Sequence, residues 1–240
     1  MSELITIVML TGLAGVCIPL GGFVASFEKI RPQWLEKELR HFVIALGGGI
    51  LVGAIAVVLV PEGKRQLSTP LLAIPVFLAG GVCFFAIERI LGLRRREAPQ
   101  LMGMVLDYVP EALALGGMVA IEAKAAPLLA VLIGLQNLPE GFNSYRELKT
   151  LKKPNEKNWT MLVMVGLVLL GPVSGLTGYY LLSDYPDILG GVMLFASGGV
   201  LYLIFQDIAP QSKLNRHWAP PLGAVIGFCV ALFSEMVVTH

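Results

Sequence analysis

LMGMVLDYVPEALALGG (residues 101–117) and LLAVLIGLQNLPEGFNSYREL (residues 128–148) are apolar runs of membrane-crossing length, and each carries a proline–glutamate step and further polar side chains near its middle. Similar runs recur over approximately 4–27, 42–61, 69–91, 101–121, 124–145, 159–181, 187–208 and 219–238. Each suffices for a hydrocarbon core about 30 Å thick. The spacers between them are short and hold nearly all the charge. Glycine and proline inside long runs with no polar alternation exclude the short, alternately polar strands of a membrane barrel. The expected fold class is an all-α polytopic membrane protein, one transmembrane domain of eight helices over 1–240.

Composition supports that reading. Hydrophobic residues make up 55% of the 240, 27 more are glycine, and 15% are charged, with a mean hydropathy of +0.74. A soluble domain has about a quarter of its residues charged. Of the 18 lysines and arginines, 15 fall in the first, third, fifth and seventh connections or the adjoining helix ends, and 3 in the others. The positive-inside rule then expects the odd connections in the cytoplasm and both termini outside. The start MSELITIVML lacks a basic n-region, so the first run is expected to stay as a helix. Cys17, Cys83 and Cys229 lie singly in apolar runs and suggest buried packing. The basic clusters are brief and carry no interleaved aromatics, so no nucleic-acid partner is expected. His41, His217 and His240 sit at membrane edges or the terminus and form no site.

Carboxylates deep in hydrocarbon are expensive unless they face water, a cation or a partner. Asp107 and Glu111 are four residues apart, as are Gln136 and Glu140, so each pair shares one helix face, with Asn137 close to the second. A tight turn near Glu122 to Ala126 makes the two helices antiparallel, so both polar faces meet at similar depth. Pro110 and Pro139 remove two backbone donors, leaving the carbonyls of Leu106 and Leu135 without helical partners and bending the helices there. An oxygen-rich, anionic cluster suits a divalent cation. A proton-linked site for another solute and structural hydrogen bonding are the alternatives. Tyr108 is placed to donate into the cluster, and Gln206 and Asp207 to line an exit. Glu62 and Gln211, each after a proline, read as interfacial stops. Met102, Met104 and Met118 read as packing residues.

At these residues the sequence resembles the ZIP family of metal-ion transporters, in particular its compact bacterial members. That family carries His-Asn-x-Pro-Glu-Gly in helix four and a similar or Gln-Asp-x-Pro-Glu-Gly motif in helix five. Here helix four reads Asp107-Tyr108-Val109-Pro110-Glu111-Ala112 and helix five Gln136-Asn137-Leu138-Pro139-Glu140-Gly141. Weaker echoes lie in SGLTG near Ser174 and ASGGVLYLIFQDIAP near Ala196. The resemblance implies an eight-helix ZIP-like bundle with both termini outside, a primary metal site of Asp107, Glu111, Gln136 and Glu140, and a secondary site drawing on Tyr108, Asn137 and Glu140. It also implies inverted repeats and a homodimer. The sequence departs from the pattern where Asp107 replaces a histidine, Tyr108 an asparagine and Gly178 a helix-six glutamate, and Gln206 stands near a helix-seven carboxylate position.

The functional expectation is transport of divalent metal cations (Mn, Zn, Fe, Co or Cd) across a bacterial cytoplasmic (inner) membrane toward the cytoplasm, with the metal as substrate and no catalytic cofactor. The alternative is a nontransporting membrane sensor or scaffold of the same fold. Enzyme chemistry is not expected, because no Ser-His or His-metal nucleophile arrangement accompanies the carboxylates. With oxygen ligands in place of imidazole, selectivity is expected to move toward harder ions such as Mn.

Overall fold

A computed structural model of the chain describes residues 2–27, 33–92, 99–121, 124–151, 157–213 and 219–239. Lys29, Arg31, Arg94, Arg95, Arg96, Glu122, Lys152, Lys153, Arg216, His217 and His240 lie outside the described residues. The described residues form eight long helical segments. α1 is Glu3–Phe27; α2 runs from Gln33–Ala54 through a π-turn, Ile55–Leu59, into Val60–Gln66; α3 is Ala73–Gly92, entered by a 3-10 turn at Pro70–Leu72. α4 is Pro99–Ala120 and α5 Ala126–Leu151. α6 comprises Lys157–Leu167 and Leu170–Leu182, α7 runs from Pro186–Leu203 through the π-turn Ile204–Ile208 to Ala209–Ser212, and α8 is Ala219–Thr239.

Seven of these segments are long and apolar enough, by length and composition, to cross a membrane. α5 is the exception because Gln136, Asn137, Glu140, Asn143 and Ser144 lower its hydropathy. Its 26 residues still reach about 39 Å at 1.5 Å per residue. The chain is therefore an all-α polytopic membrane protein. α2, α4, α5 and α7 form the interior, while α1, α3, α6 and α8 present Leu13, Ile74, Val173 and Phe233 outward. Apolar residues that would be a liability in water are at home in lipid.

Helix breaks have local causes. Each π-turn precedes a proline, Pro61 or Pro210, and is closed by an N–H reaching five residues back, Val60 to Ile55 and Ala209 to Ile204. Widening the turn moves carbonyls away from a proline ring that would otherwise clash with the preceding turn. α6 breaks at 168–169, one turn before Pro172, where Val168 and Leu169 donate to Val165 and Gly166 in the tighter three-residue pattern. Glu62 does not end its helix, which continues to Gln66, whereas Gln211 stands one residue before the helix ends at Ser212. Glu62 is buried and accepts from Arg65 at 3.2 Å and Gln66 at 2.8 Å.

The packing contains an internal repeat. α1 packs on α5 as α6 packs on α4, and α2 packs on α8 as α7 packs on α3. The points of closest approach repeat residue by residue. A Cβ on Gly49 would strike the Ala224 carbonyl, and one on Gly198 that of Phe77; Gly227 meets Leu46 as Gly80 meets Phe195. Gly21 meets Leu138 as Gly178 meets Leu113, and Gly141 meets Ile18 as Gly116 meets Gly175. One fixed shift per helix carries each contact into its counterpart, and with alternating helix directions the two halves are inverted. Small residues permit these approaches between lipid-embedded helices. Gly178 thus stands where the α4 backbone leaves no room for the glutamate that the resemblance implies. Gly191, by contrast, meets nothing.

Candidate cation site

The site lies where α2 and α7 meet α4 and α5. The shift that carries Leu113 to Leu138 and Gly116 to Gly141 carries Glu111 to Gln136, so these two side chains are repeat counterparts, and the Gln136 amide donates directly to the Glu111 carboxylate. The proline steps do not obey that shift. Pro139 is one helical turn out of register with Pro110, and this offset decides where the charge goes. Asp107 lies one turn before Glu111 in α4, and Glu140 one turn after Gln136 in the antiparallel α5. Both therefore fall on the same side of the Glu111–Gln136 pair, toward the face where α1 ends, α2 begins and α4 begins. Most of the basic connections belong to that face, called the basic face below.

Asp107, Glu140 and Asp207 line one cavity of about 30 Å³ with Gly103, Met104, Leu203 and Ile208. At roughly 15 Å³ of such space per water, it accommodates one or two waters or a bare cation. A smaller adjoining cavity brings Asn143 beside Glu140. The repeat counterparts of Met104, Asp107, Glu140, Asp207 and Ile208 are Leu129, Leu132, Leu115, Val58 and Leu59, all fully buried. One side of the central pair is thus polar and the other a dry aliphatic layer.

The polar groups are buried, and most keep an oxygen with no donor. Asp107, Glu111, Gln136, Asn137 and Glu140 are 3%, 0%, 0%, 0% and 9% exposed. One oxygen each of Asp107, Glu111, Gln136, Asn137 and Asn143, both of Glu140 and the Ser144 hydroxyl lack a hydrogen-bond partner. Native interiors rarely tolerate such a concentration of orphaned acceptors unless an ion or water serves them. Among the described residues, no three His, Cys, Asp or Glu side chains converge closely enough to hold a metal ion as they stand. Glu111 is engaged by Gln136, and the other carboxylates sit a turn away.

The remaining predicted residues take other places. Tyr108 wedges between Gly15 of α1 and Gly171 of α6, and its hydroxyl donates to the Thr11 carbonyl at 3.0 Å, away from the cluster. Asn137 donates to the Ala14 carbonyl at 2.9 Å, tying α5 to α1 while its own oxygen stays unpaired. Gln206 is exposed, whereas its neighbour Asp207 lines the cavity. Pro110 and Pro139 lie inside α4 and α5, which run through them without interruption. Asn143 escaped the sequence reading although it stands three residues after Glu140, on the same face.

No model of a known protein family matches the chain, and no curated protein matches it either.

Proposed function

We propose that the chain is a carrier for divalent metal cations, of the ZIP type, and that Asp107, Glu111, Gln136 and Glu140 form its midplane site. The observation that carries this reading is the set of orphaned, buried oxygens on the facing sides of α4 and α5. Carboxylate and amide oxygens without donors suit a hard or borderline divalent cation and repel an anion. In this reading Glu111 exchanges its Gln136 donor for the cation as Asp107 and Glu140 close around it. With the basic face in the cytoplasm, as the positive-inside rule directs, both termini lie outside, and Asp107, Glu140 and Asp207 form the cytoplasmic mouth. The aliphatic layer of Leu115, Leu129 and Leu132 seals the opposite side.

The inverted repeat supports alternating access by one half rocking or sliding against the other around the site. The proposed setting is a bacterial cytoplasmic membrane, with inward movement, a homodimer and Mn, Zn, Fe, Co or Cd as candidate substrates. The test is uptake of these ions into proteoliposomes by the wild type, E111A and E140A. Wild-type uptake that both variants lose supports the site; uptake retained by both overturns it. A folded, metal-binding wild type that accumulates none of the ions would instead be a membrane sensor or scaffold.

A further inference from the structure

Between α2, α7 and α8 lies an apolar groove of about 440 Å³, floored by the backbone of Gly48 and Gly49 and flanked by Phe205 and Phe228. It exists because of small side chains. Ala45, Ala209 and Ala224 line it, whereas the inverted repeat puts Leu194, Val60 and Phe77 at the equivalent positions of the other half. The mouth is continuous with the lipid-facing surface: Phe205 is 69% exposed and Val225 57%. Water gains nothing in a space that offers almost no polar partner, and an empty space forfeits dispersion contacts that the surrounding hydrocarbon would supply. At its basic-face end the groove reaches Ser212, and the next residue, Lys213, is exposed and cationic. Its volume, apolar walls and the cationic Lys213 beyond its end match a lipid with a chain inside and a phosphate at the surface.

Ile208 gives the groove a second meaning. This residue, at the end of the α7 π-turn, lines the groove and also both small cavities beside Glu140. It packs on Gly48, where an added Cβ would come within 2.8 Å of its Cγ2. One side chain therefore separates the hydrocarbon groove from the carboxylate cavity.

We infer that the groove binds the acyl chain of one membrane phospholipid, its phosphate beside Lys213, and that this chain braces Ile208 and so limits the opening of the cation cavity toward the basic face. The second half of this inference rests on the carrier reading; the first does not. The full chain is reconstituted with a phosphatidylglycerol carrying a photoreactive acyl chain, and the adducts are mapped by mass spectrometry. The expected result is labelling at Phe228 and Cys229 severalfold above that at Phe233, a lipid-facing position on the same helix. That labelling should be lost in A224F and in A209L, which place bulk where the other half already has it, while Phe233 labelling persists. Thermal unfolding of both variants identifies any that misfolds, so the other still decides. Groove labelling no stronger than at Phe233, or unchanged in a folded variant, overturns the lipid site. Because the bulk in A224F and A209L would itself support Ile208, the brace is read from I208A, which removes the braced side chain: faster initial cation uptake is expected, and an unaltered rate overturns the brace while leaving the lipid site. Absence of uptake in the wild type defeats the carrier reading and the brace together, and the adduct map still decides the lipid site.

Discussion

Replacing Gly141 with alanine tests the inverted repeat at one of its close backbone approaches. The new Cβ would overlap the Ile18 carbonyl oxygen, with the Ile18 carbonyl carbon and Cα at 2.9 and 3.0 Å. These are backbone atoms, so no side-chain rotation relieves the contact, and α1 must move away from α5. Overpacking of this kind costs about 1–3 kcal/mol, against which alanine regains about 1 kcal/mol of helix propensity. The expected net loss is about 1–2 kcal/mol, because the rigidity of the neighbour favours the upper part of that range. The counterpart Gly116→Ala strikes Gly175 in the same way and should lose a similar amount. At Gly166 and Gly191 no described atom beyond the local helix backbone lies within 4 Å of the point a Cβ would occupy, so alanine there should be neutral or stabilise by up to about 1 kcal/mol. Reversible unfolding in mixed detergent micelles measures all four. Gly141→Ala and Gly116→Ala as stable as the parent, or all four variants equally impaired, would refute the close-approach argument.

Three further outcomes follow from the site. Gln136→Leu strips the Glu111 carboxylate of its donor and should destabilise the fold by about 1.5–3 kcal/mol, the range for a hydrogen bond to a charged group; the same unfolding assay should find the E111L/Q136L double variant closer to the parent than Q136L alone. Cation binding competes with protonation of Asp107, Glu111 and Glu140, so affinity should rise with pH and binding should release protons; titration calorimetry in buffers of different ionisation enthalpy measures the release across a pH series, and an affinity independent of pH with no release even at acidic pH would exclude the carboxylates as ligands. Asp107→His introduces an imidazole and should move preference from Mn toward Zn, read from competitive uptake of the two ions.

The helices and the polar pairs were legible because hydrocarbon permits only continuous apolar runs, and a carboxylate inside one stands out. The ends were not. Residues 33–41 carry Glu36, Lys37, Glu38 and Arg40, so hydropathy reads them as a connection; the backbone nevertheless continues as helix, since these are good helix formers. Hydropathy finds the part of a helix that lipid surrounds, not the part that projects beyond it. The π-turns were illegible because their signature is a five-residue hydrogen bond, for which Pro61 and Pro210 provide a motive but no unique sequence. Tyr108 and Asn137 each follow a site residue directly, and about 100° of helical rotation turns both toward α1. Matching the two motifs letter by letter hides the one-turn offset between sequence and structural repeats.

That offset yields the sharpest functional prediction. If the motifs obeyed the structural repeat, carboxylates would lie symmetrically about the Glu111–Gln136 pair, and both faces would have polar access. Instead Asp107 is answered by Leu132 and Glu140 by Leu115, each wholly buried. Water and hydrophilic reagents should therefore reach the site only from the basic face. In a background with Cys17, Cys83 and Cys229 replaced by serine, G103C lines the carboxylate cavity where Gly103 meets no neighbour, and L132C lies in the aliphatic layer. A membrane-impermeant thiol reagent should modify G103C from the basic face and leave L132C unmodified from either face. Because the reagent is added to one side at a time, the same measurement reports which side of the membrane that face occupies. Rapid modification of L132C from the far face would mean that the leucine layer is no seal, and that the polar cavity is not the site's sole aqueous approach.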